Sequence, residues 1–201
     1  MNPLIATDPR SVTLARTSES HPLRIAEVEC GSTFGTLGLT FCPGKQGPSV
    51  FGAPWRRNLG LDLDVIKAWG AVAVVTLVET EELQMLGVPD IGDRVHERAM
   101  SWLHLPITDV QPPGPAFEAL WPEAARTLHG QLTDLGRVLV HCRGGLGRAG
   151  TVAACILIEL GVEQHEAIRR VRAARPGAIE TRAQERYVLR FQPSQTGWTA
   201  R

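Results

Sequence analysis

Val138-Leu139-Val140-His141-Cys142-Arg143-Gly144-Gly145-Leu146-Gly147-Arg148-Ala149-Gly150-Thr151 packs three structural signals into one run. Val138 to Val140 is apolar and follows the turn residue Gly136, which predicts a buried strand. Thr151 to Leu160 is apolar nearly all round, which predicts a buried helix. Between them, glycines at 144, 145 and 147 let the backbone curl around a ligand without Cβ clashes. A strand, a glycine-rich turn and a helix N-terminus make an anion cradle: successive N–H groups converge and the helix dipole adds positive charge.

The anion that suits this cradle is a phosphoryl group. Arg148 supplies a guanidinium fork matched to two phosphate oxygens. Arg143, Gly144, Gly145, Leu146 and Gly147 complete the phosphate-binding set. Cys142 stands at the base of the loop in the same positive field, and such surroundings favour the nucleophilic thiolate. His141 reads as a buried partner that orders the loop, and Cys155 as core.

Outward from this segment, strand-like and helix-like patterns alternate. Strands are predicted at 72–78, 102–105 and 138–140, with 37–41 as an edge strand because Gly35, Gly38 and Pro43 crowd it. Helices are predicted at 61–69, 80–86, 115–134, 149–160, 163–174 and 180–191. The alternation predicts an α/β fold with a central, mostly parallel sheet flanked by helices. Residues 1–22 are polar and read as a flexible or loosely docked arm, 23–192 as one domain and 193–201 as a tail.

Composition narrows the function classes. The 201 residues carry 21 Lys+Arg against 21 Asp+Glu, which removes the field a general nucleic-acid binder uses. The longest apolar run, Val152 to Ile158, is far short of the roughly 20 residues that span a bilayer. Asp8, Arg10, Arg16 and Glu19 interrupt the first twenty residues, which predicts no secretory signal. Cys30, Cys42, Cys142 and Cys155 show no paired spacing, so a reduced, cytoplasmic setting is expected. The arginines at 56, 57, 169, 170, 172 and 175 read as solvated or salt-bridged faces.

Cys142-x5-Arg148, preceded by His141 and set on strand, loop and helix, resembles the signature of the cysteine-dependent protein-tyrosine and dual-specificity phosphatases. The Gly-Gly-Leu-Gly-Arg filling is similar to the kinase-associated phosphatase branch (cyclin-dependent kinase inhibitor 3-like). So are Leu37-Gly38-Leu39, Arg56-Arg57-Asn58, His104 to Asp109 and Gly177-Ala178-Ile179. The resemblance implies a dual-specificity phosphatase-like fold and a phosphocysteine mechanism without metal or cofactor, acting on phosphorylated protein Tyr, Ser or Thr. It assigns general acid to Asp109, which follows a strand and opens the Pro-rich loop 110–115. It gives Gln184 a supporting role with the attacking water.

Two positions depart from the family pattern. Ala149 stands where Ser or Thr usually helps the thiolate leave, and Glu180 stands where many relatives have glutamine. Both bear on phosphoenzyme hydrolysis, so a fast first step and a slow second one are expected. Three alternatives stand beside the leading reading. A base after the cysteine, Arg143, is a feature of phosphoinositide phosphatases, though Leu146 replaces a second one. A module that captures phosphorylated partners with little turnover is the second. Gly145-x-Gly147-x-x-Gly150 also matches a dinucleotide fingerprint, but 166–174 reads as helix where that motif needs a strand. Cys30 and Cys42 are candidates to resolve an oxidised Cys142, as in some relatives. Oligomeric state is not legible.

Overall fold

The computed structural model describes residues 14–49 and 52–194. In chain order the elements are β1 (Ala26–Glu29), β2 (Thr36–Phe41), β3 (Gln46–Gly47), β4 (Trp55–Arg56), α1 (Leu59–Ala68), β5 (Ala71–Thr76), α2 (Thr80–Met85) and α3 (Ile91–His96). Then come β6 (Ser101–His104), α4 (Pro115–Thr133), β7 (Arg137–Cys142), α5 (Gly147–Glu159), α6 (Gln164–Ala174) and α7 (Arg182–Arg190). Five strands form one sheet in the order β1-β2-β7-β5-β6, parallel except for the β1/β2 pair.

Alternation along the central strands builds a core on each face of this sheet. Val138 and Val140 of β7, with Ala73 and Val75 of β5, pack into the core under α4, α5 and α6. Leu139 and Val74, one residue out of phase, pack into the second core with Leu63, Ile66 and Ile91. Helix α5 is buried along its whole length between sheet and helices, as its all-round apolar sequence requires.

Several expectations need correction. Residues 37–41 are not at the edge: β1 pairs outside β2, so the glycine-rich strand is interior. Gly38 is what permits this, since a Cβ there would lie 2.7 Å from both Ile25 and Trp69 side chains. Helix α3 and the short β3/β4 ribbon lie in stretches read as connection. Residues 1–22 are expected as a flexible or loosely docked arm; over 14–22, Arg16 N donates to Pro54 O at 2.8 Å and Asn58 N to Ser18 Oγ at 2.9 Å. Residues 1–13 lie outside the described residues, as does most of the expected tail. Its described part, to Ser194, is held by the Ser194 N–H on Glu159.

Candidate active site

Strand β7 delivers Cys142 to the middle of the sheet. Phe41 of β2 pairs with Cys142 on one side, and Thr76 of β5 pairs with His141 on the other. The chain then turns through 143–146 into α5, and Gly145 N donates to Cys142 Sγ at 3.2 Å. Gly145 has φ of +72°, and a Cβ there would stand 2.4 Å from the Thr40 carbonyl. Glycine is therefore required for the loop to lie this close to β2.

The loop's carbonyls are turned outward and held there by cations. Lys45 Nζ donates to Arg143 O at 3.3 Å. Arg175 donates through Nε to Gly145 O at 3.2 Å and through Nη2 to Gly144 O at 3.4 Å. Carbonyls directed outward leave the N–H groups free to face inward, which is the geometry of an anion cradle. Arg175, expected on a solvated or salt-bridged face, is thus part of the loop's support. Arg57, in the same group, is buried and bound to Asp62 through both Nε and Nη2.

Arg148 is 2% exposed and its guanidinium is nearly enclosed. Glu82 accepts from Nη1 and Nη2, Ile107 O accepts from Nη1 at 2.9 Å, and Asp109 Oδ1 lies 2.8 Å from Nη2. Burial opposes the charge, but Glu82, the Cys142 sulfur and Asp109 together hold the guanidinium above its ordinary pKa. Its Nε is buried without a partner among the described residues, a donor that an oxyanion in the cradle would satisfy.

Asp109 is half exposed at the mouth of the site, where it also accepts from Val110 N at 3.1 Å. Val110 has φ of +56°, a strained conformation for a β-branched residue. Gln184 is buried. Its Oε1 accepts from Thr181 N, and its Nε2 donates to Gln111 O at 3.2 Å, tying α7 to the loop that carries Asp109. Glu180 and Gln184 both lie against Gly147: a Cβ there would stand 2.4 Å from Glu180 Oε2 and 2.9 Å from Gln184 Nε2. Ala149 is fully buried, and Thr151 Oγ1 donates to Gly147 O at 2.8 Å, so that hydroxyl does not replace the missing one.

His141 is fully buried, with Nε2 2.8 Å from Thr76 Oγ1, which also accepts from Trp102 Nε1 at 2.8 Å. This fixes the ring beneath the loop. Burial pushes its pKa from 6.5 down to about 3, so the ring stays neutral. The unfolded chain binds a proton at the ordinary value and the folded chain does not until about 3. Stability is therefore lost as pH falls from about 6.5 toward 3, at roughly 1.4 kcal/mol per pH unit. Urea midpoints at pH 7.5 and pH 5 should differ more for the wild type than for His141→Gln; equal differences would refute the assignment.

The fold thus gathers Cys142, Arg148, Asp109, His141, Gln184 and the loop glycines at one place. It brings Cys42 there too, with Cys42 N donating to Arg143 O at 3.4 Å, whereas Cys30 sits beyond β1 near Arg170. Burial pushes Cys30 up to about 11 and raises Cys42 and Cys155 as well. Glu82, Lys45, Thr76 and Trp102 were not singled out from sequence. Burial of Arg148 signals that some carboxylate must face it, but sequence spacing does not say which.

Comparison with known proteins places the chain among phosphatases. The family description "PTP-SAK: Swiss Army Knife protein, DSP-PTPase phosphatase domain" matches residues 56–188. Cyclin-dependent kinase inhibitor 3 of Sus scrofa is 34% identical over 77% of this chain and 71% of its own length. The Homo sapiens protein of that name is 33% identical over 84% of this chain and 76% of its own. Among solved structures, kinase associated phosphatase with its catalytic-site cysteine substituted by serine superposes with a TM-score of 0.72. It is 30% identical over 83% of this chain and 92% of that one. A glycine-rich loop on a buried Cys-x5-Arg, a matching family description over most of the chain and a shared fold converge: the chain belongs to the protein-tyrosine/dual-specificity phosphatase family.

Proposed function

We propose that this phosphatase hydrolyses phosphate monoesters on protein Tyr, Ser or Thr through a phosphocysteine on Cys142, in two steps that need no metal. The Cys142 sulfur attacks phosphorus, the P–O ester bond breaks, and Asp109 gives its proton to the leaving oxygen. Water then attacks phosphorus, Asp109 takes the proton from it, the P–S bond breaks and inorganic phosphate departs. Arg148 and the loop amides hold the equatorial oxygens in both steps. Asp109 must leave Arg148 for this, and incoming phosphate competes for the same guanidinium.

Arg148 carries the reading: its Nη atoms are anchored by Glu82 while its Nε has no partner among the described residues. The departures at 149 and 180 make the second step the slow one. Rapid mixing with an aryl phosphate should give a stoichiometric burst of phenol followed by a slow steady state, and Ala149→Ser should raise only the steady-state rate. Linear turnover with no trapped phosphoenzyme refutes the two-step scheme. The setting proposed for this activity is cytoplasmic. In support, all four cysteines are free, and among the described residues no helix is long and apolar enough to cross a membrane.

A phosphoinositide substrate is the second reading, favoured by the exposed Arg143 beside the loop. Against it, Asp109 and Glu180 line the same groove and would repel a head group with several phosphates.

A further inference from the structure

The groove of about 460 Å³ that leads to the phosphate loop is lined unevenly. Asp109 and Glu180 belong to the side formed by the acid loop and the start of α7. Arg16, Lys45, Trp55 and Arg143 form a second, connected flank. Lys45 Nζ lies 4.4 Å from the ring centres of both Phe41 and Trp55, and the Arg16 guanidinium lies 4.5 Å from the Trp55 ring. Arg16 is held there by the bond from its Nη2 to Ser49 Oγ at 3.3 Å.

Lys45 is hard to explain as scaffold alone. The residue is 9% exposed, and the bond to Arg143 O occupies one of its three donors. No carboxylate among the described residues pairs with it; the cations Arg57 and Arg143 oppose its charge, while the sulfurs of Cys42 and Cys142 favour it. A buried cation with no carboxylate partner is costly even with the Cys142 sulfur facing it, and burial lowers this one's pKa from 10.5 to about 8. The aromatic faces compensate in part. An anion in the groove would complete the site, and Arg16 on the same indole would bind it too.

We propose that Arg16, Lys45 and Trp55, with Arg143, form a second anion subsite that takes a carboxylate or phosphate carried by a peptide substrate next to its phosphoresidue. The inference rests on the phosphatase reading above and names the substrate class within it. A single extra anion fits a flank of one sign, whereas a polyphosphorylated ring would also meet Asp109 and Glu180 on the other.

Two phosphotyrosine peptides that differ in having Asp or Asn beside the phosphoresidue, on either side, test this, with a phosphothreonine in place of the Asp as a third arm. The wild type should favour an anionic neighbour by about tenfold in kcat/KM at low salt. That ratio should collapse toward one in Lys45→Met and fall several-fold in Arg16→Ala, while Arg16→Ala keeps its p-nitrophenyl phosphate activity. The carboxylate and phosphate arms show which anion the flank prefers, and preference for either supports the subsite. Equal use of the peptides by the wild type, a ratio that survives both substitutions, or inositol polyphosphates outranking every peptide would each overturn it. Should the wild type hydrolyse no phosphoester at all, the phosphatase reading falls. The subsite is then read from binding of the same peptides to Cys142→Ser, where tenfold tighter binding of the anionic-neighbour peptide supports it and equal affinity overturns it.

Discussion

Cys142→Ser is expected to abolish aryl phosphate hydrolysis, with a fall on the order of 10⁴-fold or more in kcat, while a phosphorylated ligand still binds. The cysteine is 3% exposed at the end of an interior strand, and Gly145 N already points at its sulfur. A serine hydroxyl occupies the same place with little change in volume, so the fold should survive. The hydroxyl stays protonated at neutral pH, and the adjacent His141 is buried, its pKa pushed down to about 3 and its Nε2 engaged with Thr76. The loop amides and Arg148 remain, so oxyanion binding should persist. Turnover is measured by phosphate release and binding by calorimetry with inorganic phosphate. Equal rates at background level in variant and wild type would favour the reading of the chain as a module that captures phosphorylated partners.

The second large effect is on stability. Arg148 lies in the interior with a side chain 1% exposed, and Glu82, 10% exposed, takes two of its donors. Glu82→Gln leaves that guanidinium with the half-exposed Asp109 as its remaining carboxylate. Removing one partner of a buried pair costs about 3–5 kcal/mol, a large part of the stability of an ordinary domain. For a chain of this size the melting temperature should drop by about 10 °C. Inorganic phosphate should then raise it more in the variant than in the wild type, because phosphate supplies the missing negative charge. A melting temperature unchanged from the wild type would show that Glu82 does not hold Arg148 in solution.

How much of this was legible follows from the reach of each signal. The strand over 138–140, the loop and the helix over 149–160 are legible because consecutive residues carry the whole pattern of periodicity, glycine placement and Cys-x5-Arg spacing. Asp109 was readable only with the resemblance, since an aspartate before a Pro-rich loop has many uses. The interior place of β2 was misread because glycine weakens a strand wherever it sits, and the close packing that requires Gly38 is visible only when Ile25 and Trp69 are in position. The docking of 14–22 was hidden for a similar reason: its polar groups bind Pro54, Arg57 and Asn58, about forty residues away.

Residue type and neighbours along the chain suffice for the α/β class and for the Cys-x5-Arg loop between strand and helix, with the cysteine proposed as nucleophile. Tertiary packing is what settles which carboxylate holds Arg148, which cations turn the loop's carbonyls outward, and that Lys45 is buried against two aromatic rings with no carboxylate partner among the described residues. Those are pairings between residues far apart in the chain. Electrostatic and hydrogen-bond energies at such sites depend on distance and burial, and neither quantity exists until the sheet has brought β2, α2 and β7 together.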